Sequence, residues 1–180
     1  ANNKLTADGI VGPATWDAMG LATTDVKEAI YQTSNGLTVH RHMLPSHEYM
    51  TGSKPEYIFL HHTAGWHNPF NTVDHWSRDD RGKVATEFVL GGQSIKGNDN
   101  KYDGVLVQCT PEGGWGWHLG TGRSHMHQHS VGIEVNNFGW IKDGKTYAGT
   151  RAAESQIVTL NKPFRGYKTW QRYSDKQIEV

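Results

Sequence analysis

Hydrophobic residues in this chain occur in short runs separated by polar, glycine-rich segments. The clearest run, residues 57–60, places Tyr, Ile, Phe and Leu directly before His61, His62 and Thr63. Runs of β-branched and aromatic residues of this length predict buried strands. A strand fixes the last side chains that it carries, and the following loop leaves room for a ligand. This strand end is therefore the first candidate site.

The same pattern predicts further elements along the chain. Val73 and Trp76 have helical spacing and indicate a helix over residues 71–78. Later apolar runs predict strands over 86–90, 105–109 and 130–137. This order predicts an α/β fold in which a central mixed β-sheet is flanked by helices.

The last part of the chain predicts a hairpin over 138–149, an extended segment over 157–167 and a terminal helix. Ser174 and Gln177 have the spacing of a capping box at the start of that helix. Because the sequence ends within the predicted helix, we expect the domain to continue past Val180.

Residues 1–20 and 21–54 are predicted to precede the main domain, which is assigned to residues 55–180. The run from Asp8 to Thr15 resembles the C-terminal part of a peptidoglycan-binding module, and residues 1–20 are assigned to it. Residues 21–54 lack sustained periodicity and are interpreted as a linker that partly packs on the main domain.

Composition narrows the function classes. Lys plus Arg equals Asp plus Glu at 18 each, so no strong field favours nucleic acid or an anionic membrane. No apolar stretch is long enough to span a membrane, and neither membrane insertion nor a signal peptide is predicted. The single cysteine, Cys109, lies in an apolar run and is predicted to be a buried core residue. We expect a monomer.

Glu134 is the second candidate, because it interrupts an otherwise apolar strand. Burying a carboxylate is costly unless it has a partner or a chemical role. A glutamate near a metal-bound water can accept a proton from it, whereas an ion pair with Arg or Lys is the structural alternative. His61 is a plausible zinc ligand, because neutral imidazole commonly binds zinc.

Four segments occur in the order found in zinc-dependent N-acetylmuramoyl-L-alanine amidases, a family that includes phage lytic amidases and peptidoglycan recognition proteins. They are the strand ending in His61-His62-Thr63, the strand 86–90, the turn 117–120 and the strand 130–134. Residues 55–180 resemble this family. The resemblance implies hydrolysis of the amide between N-acetylmuramic acid and L-alanine in bacterial peptidoglycan, with zinc as cofactor.

The resemblance also implies roles for individual residues. His61 matches the first zinc ligand, Glu134 the glutamate that assists the attacking water, and His118 a catalytic histidine of the substrate groove. The predicted substrate contacts are Trp66, Trp115, Trp117, Thr63 and Asn136. The implied place of action is the bacterial cell wall, and the protein is expected to be phage-encoded or exported.

Two departures from the family pattern leave alternatives open. Thr86 stands where several members carry a catalytic tyrosine, which leaves more of the proton transfer to Glu134. The family's other two zinc ligands follow the helix that begins at Ser174 and are not in this sequence. The rival interpretation is therefore a non-catalytic peptidoglycan-binding protein, or a structural virion component, with an incomplete metal site.

An internal source of ligands is also open. His125, His127 and His129 alternate along the chain, so in an extended segment they would share one face and could bind a metal. The other interpretation is that they line the rim of the groove or are solvated loop residues.

Overall fold

The computed structural model describes residues 29–120 and 122–180. The strands in these ranges are β1 (Ala29–Gln32), β2 (Thr38–Arg41), β3 (Met50–Thr51), β4 (Tyr57–His62), β5 (Phe88–Leu90), β6 (Leu106–Gln108), β7 (Gly114–Trp115), β8 (Ser130–Val135), β9 (Trp140–Ile141), β10 (Ile157–Phe164) and β11 (Tyr167–Gln171). The helices are α1 (Pro69–Trp76), α2 (Ser124–Gln128) and α3 (Asp175–Glu179). The residues assigned to the peptidoglycan-binding module, 1–20, lie outside the described residues.

Six of the strands form the central sheet, in the order β1-β2-β6-β5-β8-β4. The pairs β2–β6, β5–β8 and β8–β4 are parallel, whereas β1–β2 and β5–β6 are antiparallel. Strands β10, β11 and β9 form an antiparallel sheet, and β3 pairs with β7. The predicted α/β class with a central mixed sheet is confirmed.

Helix α1 packs on one face of the central sheet and defines where the candidate site lies. Val73 of α1 belongs to a buried cluster with Val89 and Val107. Val89 is in register with Glu134, and Glu134 with His61. Because directly opposed residues of paired strands point to the same face, all of these side chains lie on the face that α1 covers.

The opposite face of the sheet has its own cluster, but its cover ends before β4. Val39, Leu90, Leu106 and Val135 are buried there. On β4, Leu60 is 71% exposed and Ile58 is 70% exposed. The predicted strand at 57–60 is present, but the prediction that it is buried is wrong, since β4 is an edge strand and alternates between a half-buried and an exposed face.

The assignment of residues 21–54 to a linker is also wrong for the part that the structure describes. Strand β2 pairs in parallel with β6, and Val39 is 1% exposed in the core. Strands β1 and β2 have four residues each, which is too short for a reliable alternating pattern in sequence. Only their pairing with each other and with β6 makes them part of the domain.

Helix boundaries follow the capping signals. Helix α1 begins at Pro69, earlier than predicted, because the Asn68 side chain accepts a hydrogen bond from the Phe70 amide. The predicted capping box of Ser174 and Gln177 is present at the start of α3. No helix in the described part of the chain is long and apolar enough to span a membrane.

The core assignment can be tested by truncating Val89, which is fully buried between α1 and the sheet. We expect Val89→Ala to lower the free energy of unfolding by about 2 kcal/mol, from lost burial and a residual cavity. Ile58→Ala, at an exposed position of β4, is the matched control and should cost less than about 1 kcal/mol. Urea unfolding followed by tryptophan fluorescence measures both, and equal losses would contradict this core.

Candidate active site

A cleft of about 580 Å³ opens on the α1 face of the sheet, beside the carboxyl ends of β4 and β8. Its floor includes Thr63, His118 and Glu134. One wall comes from α1 and the loop before it, and another from the segment 81–86. Ligand sites are commonly built where strands end and loops begin, and this cleft has that placement.

A chain of hydrogen bonds connects the two candidate histidines to the backbone. The Ser130 hydroxyl donates to the Met126 carbonyl at 2.6 Å, so Ser130 Oγ accepts from His118 Nε2–H at 3.1 Å. His118 Nδ1 then carries a lone pair and accepts from His61 Nε2–H at 3.0 Å. This network assigns one tautomer to each ring. In that tautomer His61 Nδ1 is unprotonated and carries a free lone pair.

Both rings of this pair are held in the neutral form. Burial, with smaller contributions from His61 and His127, lowers the pKa of His118 to about 4. Burial, followed by the neighbouring His62, also lowers the pKa of His61. Two neutral rings are consistent with a hydrogen bond in which one imidazole donates and the other accepts.

Glu134 lines the same cleft and is the register partner of His61 on the neighbouring strand. Burial raises the pKa of Glu134 to about 7. No Lys or Arg forms an ion pair with it within residues 29–120 and 122–180. The structural alternative of a buried salt bridge is therefore not what holds Glu134, and its carboxyl can exchange a proton near neutral pH.

Two of the predicted substrate contacts present large surfaces to the cleft. Trp66 is 49% exposed and Trp117 is 45% exposed, and both line it. Thr63 also lines the cleft, but its hydroxyl accepts from the amides of Gly65 and Asn137. Thr63 therefore shapes the loop after β4 as well as contributing to the cleft surface.

The structure does not bring Trp115 and Asn136 to the cleft lining. Asn136 is 1% exposed, and its amide donates to the Trp66 carbonyl and to Thr72 Oγ1. Trp115 lies on β7, where its indole N–H donates to the Thr51 carbonyl at 3.0 Å. Asn136 supports the loop after β4 and is too buried for the predicted substrate contact, whereas Trp115 joins β7 to β3 and its predicted contact stays a prediction.

Residues 122–129, the part of the histidine-rich loop that the structure describes, do not form a metal site. Residues 124–128 are helical, so His125, His127 and His129 do not share one face. His127 Nδ1 accepts from the amides of His118 and Leu119, and its Nε2–H donates to the Gly120 carbonyl. His125 stacks on His129 at a centroid distance of 4.1 Å. His127 therefore supports the turn that carries His118, whereas His125 and His129 contact each other.

A catalytic zinc ion normally needs three protein ligands and an open position. Among the residues that the structure describes, no group of three or more His, Cys, Asp or Glu side chains is placed to hold a metal. His61 offers a single imidazole nitrogen. The described residues therefore do not by themselves fit a catalytic zinc ion.

Several residues of the cleft are not apparent from sequence patterns. They include Asn71, His75, Arg81 and Tyr147. The Tyr147 hydroxyl donates to the Ala64 carbonyl at 2.6 Å, which joins the loop after β9 to the loop after β4. No local signal marks Tyr147, because the contact joins segments that are more than 80 residues apart.

The raised pKa of Glu134 predicts how stability depends on pH. The folded protein holds this proton more tightly than the unfolded chain, whose carboxyl has the ordinary value of 4.5. The unfavourable contribution of Glu134 is absent below about pH 4.5, grows as pH rises to about 7 and is then complete. Once complete, it amounts to roughly 3 kcal/mol.

We therefore expect Glu134→Gln to raise the urea midpoint above about pH 8 and to change it little at about pH 4. Glu154→Gln, which removes an exposed carboxylate, is the control and should shift neither midpoint. A gain in stability that is the same at both pH values would show that the carboxyl of Glu134 titrates normally.

No curated protein matches the chain. Similar solved structures include a mutant endolysin from Bacillus subtilis (21% identity, TM-score 0.42), PlyL (18%, 0.42) and the catalytic domain of XlyA (20%, 0.40). The matches cover 54%, 53% and 53% of this chain, respectively, and 60%, 55% and 59% of those chains. The chain therefore spans less than two thirds of each.

The sequence family described as N-acetylmuramoyl-L-alanine amidase, Amidase_2, matches residues 51–180. This match covers more than half of the sequence and includes the strands that carry His61 and Glu134. The chain belongs to the N-acetylmuramoyl-L-alanine amidase family.

Proposed function

We propose that this protein hydrolyses the amide bond between N-acetylmuramic acid and L-alanine in bacterial peptidoglycan. The observation that carries the proposal is the register pairing of Glu134, which lines the cleft, with His61 of the neighbouring strand, in a chain that belongs to this family. The protein would act at the bacterial cell wall, as expected of a phage-encoded lytic enzyme or an exported enzyme.

Glu134 is the proposed proton carrier of the reaction. Its carboxyl has a pKa of about 7 through burial, so near neutral pH it can take a proton from the attacking water. The same carboxyl can then return that proton to the departing amine. Thr86 also lines the cleft, but its hydroxyl donates to the Phe88 carbonyl, which leaves Glu134 as the better placed group.

His118 is proposed to orient His61 rather than to stabilise an oxyanion directly. Both of its ring nitrogens are engaged, one with Ser130 and the other with His61. A direct hydrogen bond to substrate would require one of these contacts to break. By accepting from His61 Nε2–H, His118 directs the free Nδ1 lone pair of His61 to a fixed position.

Zinc is the proposed cofactor, with His61 as its ligand among the described residues. Such an ion would supply Lewis acidity and lower the pKa of a bound water.

The cleft walls suit a substrate that carries both sugar and peptide. Trp66 and Trp117 offer half-exposed rings against which an apolar sugar face can lie. Asn68, Asn71 and Arg81 add polar groups for amides or carboxylates of the stem peptide. The equal numbers of acidic and basic residues favour neither nucleic acid nor membrane, and a monomer remains the proposed state.

Replacing Glu134 by glutamine tests the catalytic proposal. We expect turnover to fall about 10²- to 10⁴-fold, because the variant cannot accept a proton, while substrate binding is retained. The assay measures new L-alanine amino termini released from purified peptidoglycan, with zinc present. Glu154→Gln should keep full activity. Unchanged activity in Glu134→Gln would remove this carboxyl from the mechanism.

Zinc binding tests the role of His61. We expect the purified chain to carry well below one zinc per molecule, and added zinc to bind weakly through His61, since a single imidazole cannot hold the ion tightly. Elemental analysis and calorimetric titration measure the two quantities. Binding that persists unchanged in His61→Ala would exclude His61 as a ligand, and one tightly held zinc per chain would contradict the incomplete ligand set.

The incomplete ligand set of the described residues favours one alternative, a protein that binds peptidoglycan without cleaving it, as a recognition module or a structural virion component. Sedimentation with insoluble peptidoglycan would separate the two functions. Binding without any released amino termini, with zinc supplied, would support the alternative.

A further inference from the structure

A buried carboxyl outside the predicted site, Glu87, joins the three segments that surround His118. We propose that Glu87 is a positioning residue, which holds the His118 ring against β8 through hydrogen bonding to the backbone. The expected effect of Glu87 on turnover rests on the proposed amidase function. The expected effect of Glu87 on the position of the His118 ring does not.

The hydrogen bonds of Glu87 run to backbone rather than to side chains. Glu87 directly precedes β5 and is 5% exposed. Its Oε2 accepts a short hydrogen bond from the Gly132 amide of β8. The register of β5 with β8 begins one residue later, at Phe88 and Ile133. The carboxylate therefore takes the place that a backbone carbonyl would occupy if the ladder continued.

A second segment meets the same carboxyl. The backbone amide of Gly116 interacts favourably with Glu87 and opposes the rise in its pKa. Gly116 lies two residues before His118, and the Trp117 amide donates to the Lys83 carbonyl at 2.7 Å. The segment that carries His118 is thus hydrogen-bonded to residues 83–87, and Glu87 at the end of those residues is hydrogen-bonded to β8.

The packing at this junction leaves no space for side chains. A Cβ atom at Gly132 would lie 2.8 Å from Thr86 Cγ2 and 3.0 Å from His118 Nδ1. A Cβ atom at Gly116 would lie 2.5 Å from the Ala85 carbonyl oxygen. Glycine at both positions lets the backbones approach closely around residues 85–87, and the Glu87 carboxyl reaches the Gly132 amide. The His118 ring then rests directly on the residue that Glu87 anchors.

Burying the carboxyl of Glu87 lowers the stability of the fold. Burial raises the pKa of Glu87 to about 7. Hydrogen bonds from the backbone lower this pKa, but their effect is smaller than that of burial. Its second oxygen, Oε1, is buried and has no hydrogen-bond partner in the part of the chain that the structure describes. A half-satisfied buried carboxyl destabilises the folded state. The contribution of Glu87 is therefore to fix the local geometry around His118.

Conservative and non-conservative replacements separate positioning from simple stability. Glu87→Gln keeps an acceptor oxygen for the Gly132 amide, whereas Glu87→Leu keeps the size and removes the acceptor. Glu87→Asp shortens the reach by one methylene and serves if Glu87→Leu fails to fold. Glu112→Gln, an exposed carboxylate in the loop that leads to Gly116, is the matched control.

Nuclear magnetic resonance gives the readout that is independent of turnover. In Glu87→Leu or Glu87→Asp we expect the Gly132 amide to exchange with solvent at least tenfold faster, and the NOE between the His118 ring and the Gly132 α-protons to weaken. Glu87→Gln and Glu112→Gln should retain both signals. A loss of stability with the NOE unchanged in the folded population would overturn the proposal, because Glu87 would then only support the fold.

Kinetics on peptidoglycan test the consequence for catalysis. We expect Glu87→Asp and Glu87→Leu to lower kcat at least tenfold with KM within about twofold, and Glu87→Gln to restore kcat. An effect on KM alone would contradict positioning of His118. If the unmodified protein releases no amino termini, the proposed amidase function fails, whereas the resonance measurements still decide the role of Glu87.

Discussion

The parallel pairing of β4 with β8 is the constraint on which the site depends. The register places His61 opposite Glu134, and a shift of one residue in either strand would turn one of these two side chains to the other face of the sheet. The same register carries on to Val89 and Val107, which form part of the core beneath α1. Correct burial of the core therefore also brings the imidazole and the carboxyl together.

Two carboxyls with pKa values near 7 lie on this framework, and both owe the rise mainly to burial. Glu134 borders the cleft, where a proton can be exchanged with a bound molecule. Glu87 is enclosed, and its accessible chemistry is limited to accepting backbone hydrogen bonds. Similar desolvation thus supports different roles, because one carboxyl faces an open cleft and the other faces the backbone of β8.

The histidines around the site also differ in role, according to what their ring nitrogens contact. His61 keeps a free lone pair, whereas His118 uses both ring nitrogens within the protein. His127 uses both of its nitrogens to hold the turn around residues 118–120. One histidine is therefore available for a ligand, and two define its surroundings. A count of histidines in the sequence cannot separate these roles, because the roles depend on what each nitrogen contacts.

Local patterns in the sequence determined the α/β class, the order of the main strands, the cap of α3, and His61 and Glu134 as candidates. These depend on hydrophobic runs, capping residues and an interrupting carboxylate, all of which act over a few residues. Tertiary structure alone decided that residues 29–41 join the sheet and that β4 lies at its edge. It also decided that Asn136 is buried and that Tyr147 lines the cleft. Those features depend on contacts between distant segments, and local residue patterns contain little information about such contacts.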